Sequence, residues 1–273
     1  MKSGCCYTLI ALLGILCFTP ASAEKLADWV RGTKTNTITT EVRITPQTHI
    51  LLAQDNIGPI SILPSEQANT LIVEEELNGK AEKVNESKIR IEHRGENLLI
   101  NAPANEVFIS LTLYIPSKNE ISATNANGNI FIEGIQAPLS IETRAGSINI
   151  KNAHNSITAT ASGGQIDVDY ERISPGSSIV LTGTSNINLT VPKGTSGDIH
   201  CQTQGKILSE HYITFSPITT KISPRTWKDL LHNVKGQLGA PIDTKKNEKE
   251  SRRRNKIYLE STRKGKLAIR ERK

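Results

Sequence analysis

At 273 residues, with 37% hydrophobic but only 4% aromatic side chains, the chain can bury one extended core yet lacks the large rings that fill most globular ones. Its net charge is +6 and its composition leans on Ile, Thr, Ser, Asn and Gly, which suits many short strands and tight turns. Cys5, Cys6 and Cys17 sit in the first stretch of the chain and only Cys201 lies beyond it, so a chain that sheds that stretch has no internal disulfide.

The first element is a secretory signal over residues 1–23. Lys2 precedes the apolar run from Tyr7 to Phe18, and Ala21-Ser22-Ala23 supplies the small residues a signal peptidase reads. The run is too short for a membrane span, which needs about 20 residues. Leu16 stands where a lipidated start at Cys17 would need a small residue, so the mature chain is expected to begin near Glu24 and to reach the periplasm, the cell surface or the medium. Residues 24–40 read as a cap or linker, with Leu26, Trp29 and Val30 forming a short amphipathic piece.

Residues 41–220 are expected to form a β-solenoid. Alternating segments at 41–44, 49–52, 60–62, 70–73, 88–91 and 97–100 read as strands. A repeat then sets in: Gly128-Asn129-Ile130, Gly146-Ser147-Ile148 and Gly164-Gln165-Ile166 follow at spacings of 18 residues, and Ser185-Asn186-Ile187 and Gly205-Lys206-Ile207 continue at 21 and 20. Between the anchors lie second alternating segments, Leu139 with Ile141, Ile157 with Ala159, Ile179 with Leu181, and Ile199 with Cys201. Strands this short bury an apolar face only by stacking, at about 4.8 Å per coil. The fold class that follows is all-β, a solenoid of stacked short strands with 18–21 residue repeats and a short helical insertion near the C-terminus. Stacking also predicts outward columns, one of Glu133, Lys151 and Asp169 and one of Phe131, Asn149, Asp167 and Asn188.

Three places share a strand that leads to a Gly corner. Leu111 to Pro116 leads to Gly128, Leu189 to Pro192 leads to Gly205, and Ile257 to Thr262 leads to Gly265-Lys266-Leu267-Ala268-Ile269. This pattern resembles a bacterial adhesin-like family of β-solenoid domains of unknown function, over residue 40 to the C-terminus. The resemblance implies adhesion as the broad role.

Residues 221–256 depart from the pattern. Ser223 as N-cap, Pro224 at the first turn, and Trp227, Leu230, Leu231 and Val234 at i, i+3, i+4 and i+7 predict a helix that Gly236 stops. Such a stripe either docks on a partner or covers an apolar flank, and the second is the commoner use. From Lys245 to Lys273 thirteen basic residues stand against four acidic ones, a segment charge of +9 that leaves −3 for the remainder. Trp227, Arg252, Arg253, Arg254 and Lys256 are therefore the candidate interaction residues, read as part of a solvated insertion before a final coil and basic tail at 257–273. Anionic lipid or acidic polysaccharide are the partners such charge would attract, alongside an envelope protein. Nucleic acid suits an exported chain poorly.

Catalytic motifs do not appear: there is no Gly-x-Ser-x-Gly, phosphate-binding glycine loop, Cys-x-x-Cys or His-Glu-x-x-His, and the histidines lack metal-ligand spacing. No cofactor is expected. His200 beside Cys201 would point to the opposite face of a strand, leaving Cys201 as a small buried hydrophobe. Asp167, Asp169 and Glu171 invite comparison with β-helical enzymes that cut acidic polysaccharides, but the predicted columns mix them with Lys and Asn. The sequence thus points to an exported non-catalytic scaffold or interaction protein, with a polysaccharide-active enzyme or a peripheral protein on anionic surface as alternatives.

Overall fold

The computed structural model describes residues 33–80, 82–210, 213–217, 232–238 and 254–272. Among these described residues every element is a strand, and the strands form two sheets. The ten-stranded sheet runs, in spatial order, β1 (Thr33–Arg43), β4 (Thr70–Lys80), β7 (Phe108–Ile115), β3 (Ile60–Pro64), β9 (Ile130–Glu133), β11 (Ile148–Ala153), β13 (Ile166–Tyr170), β15 (Ile187–Val191), β21 (Leu267–Glu271) and β17 (Ile207–Ser209). The eleven-stranded sheet runs β18 (Ile213–Pro217), β19 (His232–Leu238), β16 (Gly197–Thr203), β20 (Asn255–Ser261), β14 (Ser178–Gly183), β12 (Ile157–Ala161), β10 (Leu139–Ala145), β8 (Ile121–Asn127), β2 (His49–Ile57), β6 (Asn97–Ala102) and β5 (Arg90–Arg94).

From β8 to β15 consecutive strands alternate between the sheets, and each pairs in parallel with the strand two places on. Identical register puts like residues side by side. Ile130, Ile148, Ile166 and Ile187 form one inward row, and Ile132, Ile150, Val168 and Leu189 the next, all buried. The facing sheet answers with Ile121, Leu139, Ile157 and Ile179, and with Ala123, Ile141, Ala159 and Leu181. Removing such side chains from water stabilises by roughly 1.5–3 kcal/mol for each Ile, Leu or Val, which is how a core forms with so few rings.

The turn glycines owe their place to crowding by the backbone of the neighbouring turn. A Cβ on Gly146 would sit 2.0 Å from the carbonyl oxygen of Gly128, and one on Gly164 would sit 2.1 Å from that of Gly146. Inside the same corner runs a buried polar row. Asn125 donates to the Gly58 carbonyl at 2.9 Å, Thr143 to that of Gly128 at 3.0 Å, Ser261 to that of Ser185 at 3.0 Å and Thr203 to that of Gly265 at 2.6 Å. Each hydroxyl or amide satisfies a corner carbonyl that the turn would otherwise bury alone.

The two ends depart from parallel pairing. β4 pairs antiparallel with both β1 and β7, β5 pairs antiparallel with β6, and β19 pairs antiparallel with both β16 and β18. Three sequence-based expectations change here. First, the chain order of the strands is not their spatial order: β20 lies between β14 and β16, and β21 between β15 and β17. The coil at Gly205 therefore does not stack on the one at Ser185. Second, Val234 and Gly236, placed at the end of a helix by periodicity, lie in strand β19, whose backbone the edge of β16 recruits; Trp227, Leu230 and Leu231 lie outside the described residues. Third, Lys151 pairs with Glu133, but the register shifts after Ile150, where Asn152 takes a φ of 54°, so Lys151 does not stand beside Asp169. The signal and the piece at 25–32 lie outside the described residues. β1 begins at Thr33, within the stretch read as cap or linker.

Candidate functional site

Strand alternation decides which β20 side chains reach the surface. Ile257 and Leu259 are buried, so Lys256, Tyr258 and Glu260 face outward from the eleven-stranded sheet. Because β20 sits between β14 and β16, Tyr258 stands in register with Val180 on one side and His200 on the other, and His200 in turn with Lys235 of β19. The adjoining column is Ser178, Lys256, Asp198 and Gln237. These two columns line a shallow concavity of about 590 Å³.

The concavity has an ordered interior. The rings of His200 and Tyr258 meet edge to face, with centroids 5.0 Å apart and planes at 81°. The Tyr258 hydroxyl donates to Glu260 Oε2 at 2.7 Å, and this bond to a carboxylate raises the phenol above its ordinary value, with burial adding to the effect. Lys235 and Lys256 are exposed at its margins, while Arg254 Nη1 lies 3.2 Å from Asp198 Oδ1 and answers that carboxylate.

Of the candidate interaction residues, Lys256 lines this concavity, in a strand where a solvated loop had been expected, and Arg254 touches it only through Asp198. Trp227, Arg252 and Arg253 lie outside the described residues. Tyr258, His200 and Lys235 were not singled out together by sequence, because nothing local announces that β20 is inserted between β14 and β16. The available signal was alternation in Ile257-Tyr258-Leu259, which turns Tyr258 outward.

The acidic group on the other sheet is arranged differently. Phe131, Asn149, Asp167 and Asn188 do form an outward column. Asp167 accepts from Gln165 Nε2 at 2.7 Å and from Asn188 Nδ2 at 2.6 Å. Asp169 Oδ2 faces Arg272 Nη1 at 3.6 Å, and Arg272 also donates to Asn152 Oδ1 at 2.8 Å. Glu171 lies 2.9 Å from His154 Nε2, whose hydrogen bond holds the carboxyl below its ordinary range. Each carboxylate thus has its own partner, and among the described residues no three His, Cys, Asp or Glu side chains are placed to hold a metal ion. Cys201 is buried, in a row with Leu259 and Leu181, and burial pushes its thiol up to about 12.

No family model and no curated protein matches the chain. Among solved structures it is similar to a protein assigned to cell adhesion from Clostridium sporogenes, at 11% identity and a TM-score of 0.45, over 87% of this chain and 100% of that one. It is also similar to an adhesin-like protein from Bacteroides fragilis, at 11% identity and a TM-score of 0.31 over 86% and 97% of the two chains. A third, from Parabacteroides merdae, has 10% identity and a TM-score of 0.31 over 86% and 96%. These structural neighbours are adhesin-like proteins of bacteria.

Proposed function

We propose that this chain is exported and acts as a non-catalytic, adhesin-like β-solenoid that holds a component of the bacterial cell envelope. Export rests on Lys2, the apolar run to Phe18 and Ala21-Ser22-Ala23. The solenoid reading rests on the unbroken parallel pairing of strands that alternate between two sheets. The single observation that favours binding over catalysis is the pairing of Asp167, Asp169 and Glu171 with separate amide, guanidinium and imidazole partners. A hydrolase of acidic polysaccharide would instead converge two carboxyl groups on one bond.

The basic end supplies the attraction, since exposed Lys and Arg draw anionic surface over about one Debye length, roughly 8 Å at physiological salt. The test is fractionation of cells that express the full chain, followed by retention of the purified mature protein on native envelope material through a salt series. Retention that fades with salt, and recovery outside the cytoplasm, are the expected results. A chain that stays in the cytoplasm, or one that envelope material does not hold at any salt, would sink the reading.

A further inference from the structure

We propose that the concavity lined by Tyr258, His200, Lys235 and Lys256 is a binding site for a carboxylate-bearing carbohydrate. The inference deepens the reading above and rests on it for the source of the ligand, an acidic polysaccharide of the envelope.

Four adjacent strands, β14, β20, β16 and β19, form the floor, so at about 4.8 Å per strand it spans roughly 14 Å. That suits a short run of sugar rings. Sugars carry an apolar C–H face and a rim of hydroxyls, and the site offers a counterpart to each. Tyr258 and His200, packed edge to face at 81° and 5.0 Å, supply aromatic surface in the lining. Ser178, Gln237 and Asp198 stand beside them as donors and acceptors for hydroxyl groups.

Charge selects an acidic sugar. Lys235 and Lys256 lie on different strands of the floor, while the one lining carboxylate, Asp198, is already answered by Arg254 at 3.2 Å. Two ammonium groups so placed favour carboxylates. The aromatic element is held before any ligand arrives, because Glu260 fixes the Tyr258 hydroxyl at 2.7 Å and His200 packs against the ring.

A path for a longer chain leads away from the concavity. The outward column that contains Tyr258 and Val180 continues through Thr158, Ser140 and Ser122, a track of hydroxyls on successive strands. A lipid surface would need exposed apolar side chains to insert, and of the three aliphatic lining residues Ile199 and Ile257 are buried, leaving Val180 to face outward. Lys235 and Lys256 would serve the phosphates of a nucleic acid as well, and it is the proposed export that sets that ligand aside.

The experiment is calorimetric titration of the full mature chain with tetragalacturonate, with maltotetraose as the neutral control, and co-sedimentation with phosphatidylglycerol vesicles. The acidic tetrasaccharide should bind, with an affinity that falls as salt rises, and the neutral one should bind about tenfold more weakly or not at all. Tyr258→Ala should weaken binding about tenfold, whereas Tyr258→Phe, which keeps the ring, should stay within about twofold. Lys256→Gln should weaken it several-fold, and Lys193→Gln, exposed elsewhere, should not. All three residues point outward or lie in a turn, and circular dichroism melts check that each variant folds.

Equal affinity for both tetrasaccharides, binding that survives Tyr258→Ala combined with Lys256→Gln, or vesicle capture without sugar binding would each overturn the proposal. If envelope material retains the chain while the acidic sugar fails, the ligand class falls and the envelope reading stands. If envelope material does not retain it, the broader reading falls whatever the sugar does.

Discussion

Thr203 Oγ1 donates a 2.6 Å hydrogen bond to the carbonyl oxygen of Gly265, a residue 62 positions further along the chain, and accepts one from the backbone N–H of Gly205 at 2.9 Å. One buried hydroxyl thereby ties the corner of its own coil to a coil made much later. Thr203→Val keeps the shape and removes both bonds, leaving the buried Gly265 carbonyl and the half-buried Gly205 N–H without this partner. The expected loss is about 1–3 kcal/mol in urea denaturation. A variant as stable as the parent would mean that water reaches this corner.

Gly146 supports a second expectation of the same kind. Its Cβ position is occupied by the Gly128 carbonyl at 2.0 Å, which is backbone and cannot swing aside. Gly146→Ala should therefore cost on the order of 3 kcal/mol, as overpacking does. Gly95, with a φ of 63° but nothing within 4 Å of its Cβ, should lose only about 1–2 kcal/mol as Gly95→Ala. Thermal melts of the two variants compare them directly, and equal losses would contradict stacking as the reason for the glycine column.

Ile166 and Asp167 are neighbours on opposite faces of β13. Ile166 is fully buried between Ile148 and Ile187, so Ile166→Asp places a charge in an apolar row and should cost several kcal/mol, enough to unfold that end of the sheets. Asp167→Asn keeps a polar group beside Asn188 and should change stability by less than about 1 kcal/mol. Equal harm from both in thermal melts would mean that the register is wrong.

The parallel pairing that carries these residues was legible in sequence because, from β8 to β15, strands two places apart in the chain lie side by side, so spacing reports space. Legibility ended where Ile257 and Leu267 enter. An apolar strand such as Ile199 to Cys201 fits equally well beside Leu181 or beside Leu259, and a local pattern cannot choose between near-identical rows. At the expected end of the helix, Val234 and Gly236 are strand for a related reason: apolar periodicity is weak beside the open edge of β16, which pairs with His232–Leu238, while the rest of the expected helix lies outside the described residues. The site around Tyr258 depends on both of these non-local pairings, so its members could be read singly and not together.

Cys201 gives a pH-dependent expectation. Its thiol is pushed from 9.0 up to about 12 by burial, so the folded chain keeps the proton that the unfolded chain gives up. A group with a raised folded pKa contributes stability that is fully present below pH 9 and is lost as pH rises toward 12, with a slope of up to about 1.4 kcal/mol per pH unit. Cys201→Ala, in a row that already holds Ala123 and Ala159, should be less stable at neutral pH but lose less between pH 9 and 10.5 than the parent. Thiol reagents should label the native protein only after unfolding. Parallel stability curves for the two proteins, or rapid native labelling, would place the thiol in a more exposed setting.

The inserted coil yields the last expectation. Chain termini usually fray with little consequence, but β20 and β21 lie inside the sheets, with β14 and β15 on one side and β16 and β17 on the other. Ending the chain after residue 253 removes Ile257, Leu259, Leu267 and Ile269 from the middle of four inward rows, and it leaves Thr203 without the Gly265 carbonyl. Amides of Gly197–Thr203 should then exchange rapidly, because β16 loses its parallel neighbour, while those of β10 and β11, three strands from the deletion, should keep their protection. Hydrogen exchange read by mass spectrometry on the full and shortened chains separates these regions. Protection that persists across β16 would mean that it closes the gap and pairs directly with β14, using Leu181 beside Cys201 in place of Leu259, and that the inserted coil is not what holds this end of the molecule together.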